Sequence, residues 1–131
     1  MKIGDEEIRI LKNACFELMR RSDVNILDYQ EIWNFIREKL QLKGYKIEFR
    51  ESLEGKLGCY QPSRKTVVVM LTGNKLIDID TFLEEVIHLL QGRKTVKMED
   101  LRIDKIEKEA KELKMKIINE VKAFFEKEGQ I

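Results

Sequence analysis

Two N-terminal segments of the chain carry apolar residues at helical spacing. The first runs from Asp5 to Arg21, with acidic residues in its first turn and basic residues in its last, as the helix dipole favours. In the second, Asp28 is the predicted N-cap with Glu31 as its capping-box partner, and Gly44 ends the helix. The apolar stripes of the two helices are Ile8, Leu11, Cys15, Leu18 and Met19, and Tyr29, Ile32, Trp33, Ile36 and Leu40.

The period of the pattern then changes from helical to alternating. Apolar and charged residues alternate over Tyr45–Phe49, which predicts a half-buried strand. Gly58–Gln61 follows as a short second strand, and Pro62–Lys65 is typical of a tight turn. Thr66–Leu71 is a continuous apolar run rich in β-branched residues, so it is predicted as a central strand that lies against the next helix. We therefore expect a three-stranded meander.

Two further helices complete the pattern. The third spans roughly Asp78 to Leu90, with Asp78 or Asp80 as its cap and Gly92 as its end. The fourth is one long helix over Glu99–Glu128, with a solvated face of lysines and glutamates. Its apolar stripe consists of Ile103, Ile106, Ala110, Leu113, Ile117, Val121 and Phe124. This order of elements predicts an α+β fold, with residues 1–131 forming a single domain.

Composition narrows the class of protein. Charged residues make up 37% of the chain, yet the net charge is only +1, which argues against general attraction to nucleic acid or to an anionic membrane. The abundance of Lys, Glu and Ile is typical of proteins from thermophiles, so the composition favours a thermophilic source. Cys15 and Cys59 do not suggest a disulfide framework. Because the N-terminus lacks a signal-peptide pattern and no apolar run reaches membrane-spanning length, we expect a cytoplasmic protein.

The third helix carries the candidate catalytic and metal-binding residues. It is apolar around most of its circumference, and its polar exceptions include Glu84, Glu85 and His88, the only histidine of the chain. Because these residues are three and four positions apart, they project to one side of the helix. A largely apolar helix is buried, so this polar strip is predicted to face a cleft or satisfied partners.

Glu84-Glu85-Val86-Ile87-His88 resembles the His-Glu-x-x-His helix of zincin metallopeptidases with one ligand changed. A preceding strand, Leu83 before the pattern and Gln91 after it extend the resemblance, which covers about residues 45–113. It implies a small zincin-like domain with Glu84 and His88 as metal ligands and Glu85 as general base. It also implies a third ligand from the next helix, where Glu107-Lys108-Glu109-Ala110 matches the family's setting. Glu109 is the expected ligand and Glu107 the less favoured one, although helical-wheel geometry does not decide between them.

The change at the first ligand position has chemical consequences. A carboxylate at Glu84 adds negative charge, so metal-bound water is acidified less than in a zincin. A Glu/His/Glu set is also harder, and it favours manganese, iron or magnesium ions relative to zinc. We therefore expect a divalent metal (Zn, Mn or Fe) with weak or no peptidase activity toward a peptide or protein substrate. Without metal, one of the adjacent carboxylates Glu84 and Glu85 is expected to have a raised pKa.

Two other hypotheses fit the same sequence. The long fourth helix exceeds what a domain of this size covers, so its end at Ala123-Phe124-Phe125 offers apolar surface for a homodimer or another protein partner. In that case the chain is a non-catalytic interaction module. Alternatively, Glu84, Glu85 and His88 form a polar strip without chemistry on an unrelated α+β domain.

Overall fold

The structure, a computed structural model, describes residues 3–51, 55–94 and 103–128. Four helices and a small sheet form the predicted α+β fold. In chain order the elements are α1 (Asp5–Arg20), α2 (Ile26–Lys39), β1 (Lys46–Arg50), β2 (Gly58–Gln61), a 3₁₀ turn (Pro62–Arg64), β3 (Thr66–Met70), α3 (Lys75–Lys94) and α4 (Ile103–Lys127). Residues 99–102 of the predicted fourth helix lie outside the described residues.

Helix α2 begins one turn earlier than predicted. The Asn25 side chain accepts hydrogen bonds from the backbone N–H groups of Leu27 and Asp28, and Asp28 accepts from the N–H of Asn25 in return. Asn25 and Asp28 therefore form the capping box, and the predicted pair of Asp28 and Glu31 is wrong. Glu31 instead accepts a hydrogen bond from Arg21 at 2.9 Å. The helix also ends earlier, with Leu40 as its C-cap, so Gly44 lies in the connection that follows.

The ends of α3 also differ from the prediction. Asn74 Oδ1 accepts a hydrogen bond from the N–H of Ile77, so the helix begins at Lys75 rather than at Asp78. Asp78 is instead turned toward the preceding loop, where its carboxylate accepts from the N–H groups of Thr72 and Gly73. Gly92 does not stop the helix, which continues to Lys94.

The sheet is not the predicted meander. Its strand order is β1-β3-β2, with β1 parallel and β2 antiparallel to β3. Gly58–Gln61 and Thr66 onward form a hairpin through the 3₁₀ turn, in which Lys65 adopts a left-handed conformation at φ 50°. β1 then pairs with the free edge of β3, which leaves β3 in the centre as predicted. Helix α3 packs on β3 and β2.

Helix α3 is the centre of the core. Its residues Phe82, Leu83, Val86, Ile87, Leu89 and Leu90 have no exposed surface. The helix packs against α1 and α4 as well as the sheet. At the end of α4, Phe125 is buried and stacks on Phe16 with ring centroids 5.0 Å apart, whereas Phe124 is 45% exposed. In the part of the chain that the structure describes, no helix is both long enough and apolar enough to cross a membrane.

Candidate metal centre

The polar strip of α3 faces an open cleft of about 640 Å³ between β2, α3 and the first turns of α4. Glu84, Glu85 and His88 all line this cleft, as their spacing predicts. The other lining residues are Lys56, Gly58, Cys59, Tyr60, Pro62, Gln91, Gly92, Ile106 and Glu107. The helix at the centre of the core therefore presents Glu84, Glu85, His88 and Gln91 to a solvent-accessible cleft.

His88 is held in one orientation by its neighbour on α3. Its Nδ1 lies 2.9 Å from Oε1 of Gln91, and Nε2 of Gln91 donates to the carbonyl oxygen of Ile106 at 3.1 Å. Because an amide oxygen only accepts hydrogen bonds, Nδ1 of His88 carries the proton in this contact. The other ring nitrogen, Nε2, is then the atom presented to the cleft. A second hydrogen-bond partner that fixes the tautomer in this way is typical of histidines that bind metals.

A carboxylate from α4 approaches that nitrogen, and it belongs to Glu107. Oε1 of Glu107 lies 3.3 Å from Nε2 of His88. Side chains two residues apart leave a helix about 200° apart, so Glu107 and Glu109 cannot both face His88. The carbonyl oxygen of Ile106, next to Glu107, accepts the hydrogen bond from Gln91, so this turn of α4 lies against α3 with Glu107 facing the cleft. The preference for Glu109 over Glu107 therefore does not agree with the geometry.

Glu84, His88 and Glu107 each offer a donor atom, and these three atoms lie within 4.8 Å of one another. Metal bonds of about 2.0–2.2 Å place two donors about 3.4 Å apart in a tetrahedral site, so small side-chain movements suffice to close the set. Two carboxylates and an imidazole are suitable donors for manganese, iron or zinc ions. About half of the Glu107 side chain, 47%, is exposed, which leaves the site open on its outer side. The residues thus fit a divalent cation.

Glu84 already has a positively charged neighbour. Nζ of Lys114 lies 2.9 Å from Oε1 of Glu84 and 3.0 Å from Oδ1 of Asp80, and Nζ of Lys111 lies 3.5 Å from the same Glu84 oxygen. Burial raises the pKa of Glu84, but the hydrogen bond and charge of Lys114, together with Lys111, outweigh it and hold the pKa below its ordinary value. Glu84 is therefore ionised at neutral pH.

Glu85 has the opposite environment although it is the next residue. It is only 7% exposed, and within the described ranges no hydrogen bond or ion pair reaches its carboxylate. Burial, followed by repulsion from Glu84 and Glu107, raises the pKa of Glu85 to about 7. A carboxyl group with this pKa exchanges protons near neutral pH, which suits a general acid or base. The sequence prediction that one of the two carboxylates has a raised pKa therefore applies to Glu85.

Gly58 allows β2 to lie close to this carboxylate. A Cβ atom at Gly58 would lie 2.8 Å from Cγ2 of Thr81, 2.9 Å from Cγ of Glu85 and 3.0 Å from the carbonyl oxygen of Val68. Only glycine therefore fits between α3 and the backbone of β3. Tyr60, two residues along β2, lies against Gly92 of α3 in a similar way.

Lys114, Asp80 and Gly58 are parts of this site that the sequence patterns did not identify. One signal was present for Lys114, because it follows Glu107 by seven residues and so lies on the same face of α4 two turns later. Asp80 similarly precedes Glu84 by four residues on α3.

The chain was compared with protein-family models, curated proteins and solved structures, and none of them matches it.

Proposed function

We propose that the protein is a zincin-like metallopeptidase relative with an altered metal site, in which Glu84, His88 and Glu107 bind a divalent cation. The observation that carries this proposal is the convergence of three donor atoms from α3 and α4 within 4.8 Å. The orientation of His88 by Gln91 supports it, because Nε2 is left as a metal ligand. The ligand set replaces the expected Glu109 by Glu107.

The chemistry of the site follows from the arrangement of its carboxylates. A bound cation would lower the pKa of a water molecule and polarise a carbonyl group of a peptide substrate. Glu85 lines the same cleft with a pKa of about 7, so its carboxylate accepts a proton from a nucleophile or returns one to a leaving group. Glu85 therefore keeps the general-base role that the resemblance implies.

Peptidase activity is proposed to be weak or absent. Glu84 contributes a negative charge where a zincin has a neutral imidazole, and this charge reduces the acidification of bound water. In addition, Lys114 and Lys111 share the Glu84 carboxylate, so its charge is only partly offered to a cation. The proposed activity is thus that of a metal-binding protein with residual or lost hydrolase chemistry.

The alternative function is that of an interaction module that dimerises through the end of α4, and fewer observations support it. Phe125 is buried within the protomer, and its ring stacks on Phe16. Phe124 is half exposed and offers apolar surface. The interaction module stays a prediction.

A calorimetric titration tests the proposed metal site. Protein without a histidine tag is titrated with Mn²⁺ and with Zn²⁺, for wild type, His88→Ala, Glu107→Gln and Glu109→Gln. We expect one site in wild type, with affinity at least about tenfold weaker in His88→Ala and Glu107→Gln. Glu109→Gln is the matched control, because it removes the same charge from the same helix without touching the site.

Two results would contradict the proposal. One is the absence of both heat and metal-induced thermal stabilisation in wild type with either ion. The other is equal loss of affinity in Glu107→Gln and Glu109→Gln, since this would reduce the effect to net charge. A casein assay on the metal-loaded wild type then measures whether hydrolysis has been retained.

A further inference from the structure

We propose that Lys114 sets the cation affinity of the cleft by competing for the Glu84 carboxylate. This inference rests on the proposed metal site. It assigns Lys114 a positioning role, because Lys114 acts through Glu84 and is not itself a donor to the metal. The ammonium group supplies, from within the protein, part of the positive charge that Glu84 would otherwise take from a bound cation.

The geometry of Lys114 supports this role. Its side chain is 9% exposed, and Nζ donates to Oδ1 of Asp80 at 3.0 Å and to Oε1 of Glu84 at 2.9 Å. Burial of a lysine is favourable only when its charge is paired in this way. Because Asp80 and Glu84 are four residues apart on α3, one ammonium group from α4 bridges two successive turns. The bridge therefore links the two helices that supply the proposed ligands.

Both lysine contacts with Glu84 are made at Oε1. A cation that binds Glu84 must share the carboxylate with Lys114 and lie near a fixed ammonium charge. Repulsion between two positive charges a few ångströms apart is only partly screened when one of them, Lys114, is buried. Lys114 is therefore expected to weaken cation binding while it keeps Glu84 ionised and directed toward the cleft.

Lys111 provides an internal comparison for this effect. It contacts the same Glu84 oxygen at 3.5 Å, but its side chain is 58% exposed. A solvent-exposed pair contributes little, and salt screens it. Removing Lys111 changes the net charge as much as removing Lys114 does, so the difference between the two variants isolates the buried contact.

The same contact stabilises the metal-free protein. With Lys114 present, Glu84 is paired in the α3–α4 interface. Without Lys114, Glu84 would be a partly buried carboxylate with Lys111 as its remaining contact, which destabilises the protein until a cation binds. The variant should therefore have a lower Tm in EDTA and a larger rise in Tm on adding metal than wild type has.

The experiment compares Lys114→Met, Lys111→Met and Lys114→Arg with wild type. Tag-free proteins are titrated with MnCl₂ by calorimetry at about 0.15 M and about 0.5 M salt, concentrations at which exposed charges are increasingly screened. We expect Lys114→Met to bind Mn²⁺ at least about tenfold more tightly than wild type at both salt concentrations. Lys111→Met should change the affinity by less than about threefold at low salt and by less at high salt. Lys114→Arg keeps the charge and should stay near wild type.

A second variant covers the case in which Lys114→Met does not fold. Lys114→Gln removes the charge but keeps a hydrogen-bond donor, and it should also tighten Mn²⁺ binding and increase the metal-induced rise in Tm. If wild type binds Mn²⁺ through Glu107 while neither neutral variant exceeds Lys111→Met, the role of Lys114 is overturned and the metal site stands. If Glu107→Gln leaves Mn²⁺ binding unchanged in wild type and in both neutral variants, the proposed metal site itself is wrong, and the inference fails with it.

Discussion

The cleft has two walls, β2 on one side and α4 on the other. The adjacent α3 residues Glu84 and Glu85 face different walls, and their pKa values are shifted in opposite directions. On the α4 side, Lys114 and Lys111 surround Glu84 and hold its pKa below the ordinary value. On the β2 side, Glu85 lies behind Gly58, and burial raises its pKa to about 7. Consecutive residues of one helix thus differ in charge at neutral pH because they project about 100° apart, toward different neighbours.

This difference divides the chemistry of the site between the walls. Glu84, which faces the α4 wall, is ionised, and an ionised carboxylate is suited to bind a cation. Glu85, which faces the β2 wall, has a pKa of about 7, a value suited to proton transfer near neutral pH. The helix sequence thus supplies the two carboxyl groups, whereas the flanking elements determine their protonation states.

The largest expected effect comes from removing the titration of Glu85. Its folded-state pKa of about 7 exceeds the ordinary value of 4.5, so folding takes up a proton between these pH values. The contribution of Glu85 to stability is therefore fully present below the unfolded-state pKa and is lost as pH rises through about 7, by about 3 kcal/mol in total. Glu85→Gln should remove this loss. Urea unfolding in EDTA at acidic and alkaline pH, for wild type and variant, measures it.

The matched control for this prediction is Glu84, the preceding residue of α3, which faces the α4 wall. Glu84 has a lowered folded-state pKa, so its contribution is present above the unfolded-state pKa and is lost as pH falls. Glu84→Gln should therefore destabilise the protein at alkaline pH, whereas Glu85→Gln should stabilise it. The same sign of change in both variants would show that the walls do not differ.

The next effect concerns the close approach of β2 to α3. Gly58→Ala should destabilise the protein by about 2 kcal/mol, because the added methyl group overlaps Thr81 and Glu85 and meets backbone at Val68. Gly4→Ala serves as the control, since its Cβ would come no closer than 3.3 Å to another group, Oε1 of Glu7. Thermal and urea unfolding measure both. Equal tolerance of the two substitutions would mean that β2 is not fixed against the helix.

The sequence was sufficient to predict the groups that depend on local spacing. The continuous apolar run at Thr66–Leu71 identified the central strand, because only a strand covered on both sides lacks a polar face. The three- and four-residue spacing of Glu84, Glu85 and His88 likewise placed them on one side of α3. Both predictions depend only on the spacing of residues within one element.

Features that depend on how elements meet were predicted less well. Asn25 with Asp28 and Asp28 with Glu31 both satisfy capping-box spacing, so the sequence did not distinguish them. The choice between Glu107 and Glu109 depends on the rotation of α4 against α3, which helical-wheel geometry alone does not give. Strand order was wrong because β1 pairs with the far edge of β3 and not with its neighbour in sequence. The last two outcomes depend on contacts between segments that are distant in the chain, whereas the capping choice is local and depends on which of two equally spaced pairs forms.

The smallest expected effect tests whether the proposed metal site can be converted to the ligand set of a zincin. Glu84→His completes His-Glu-x-x-His with the four-residue relation to His88 unchanged, and it removes one negative charge. Lys114 keeps Asp80 as its partner, so its charge is not left unpaired. We expect zinc to bind about tenfold more tightly than in wild type by calorimetry, because imidazole suits zinc better than carboxylate does. Glu84→Gln is the control, since it removes the same charge without adding a donor. Zinc binding no tighter in Glu84→His than in wild type would limit the resemblance to the fold, and ready casein cleavage by zinc-loaded wild type would contradict the proposed loss of activity.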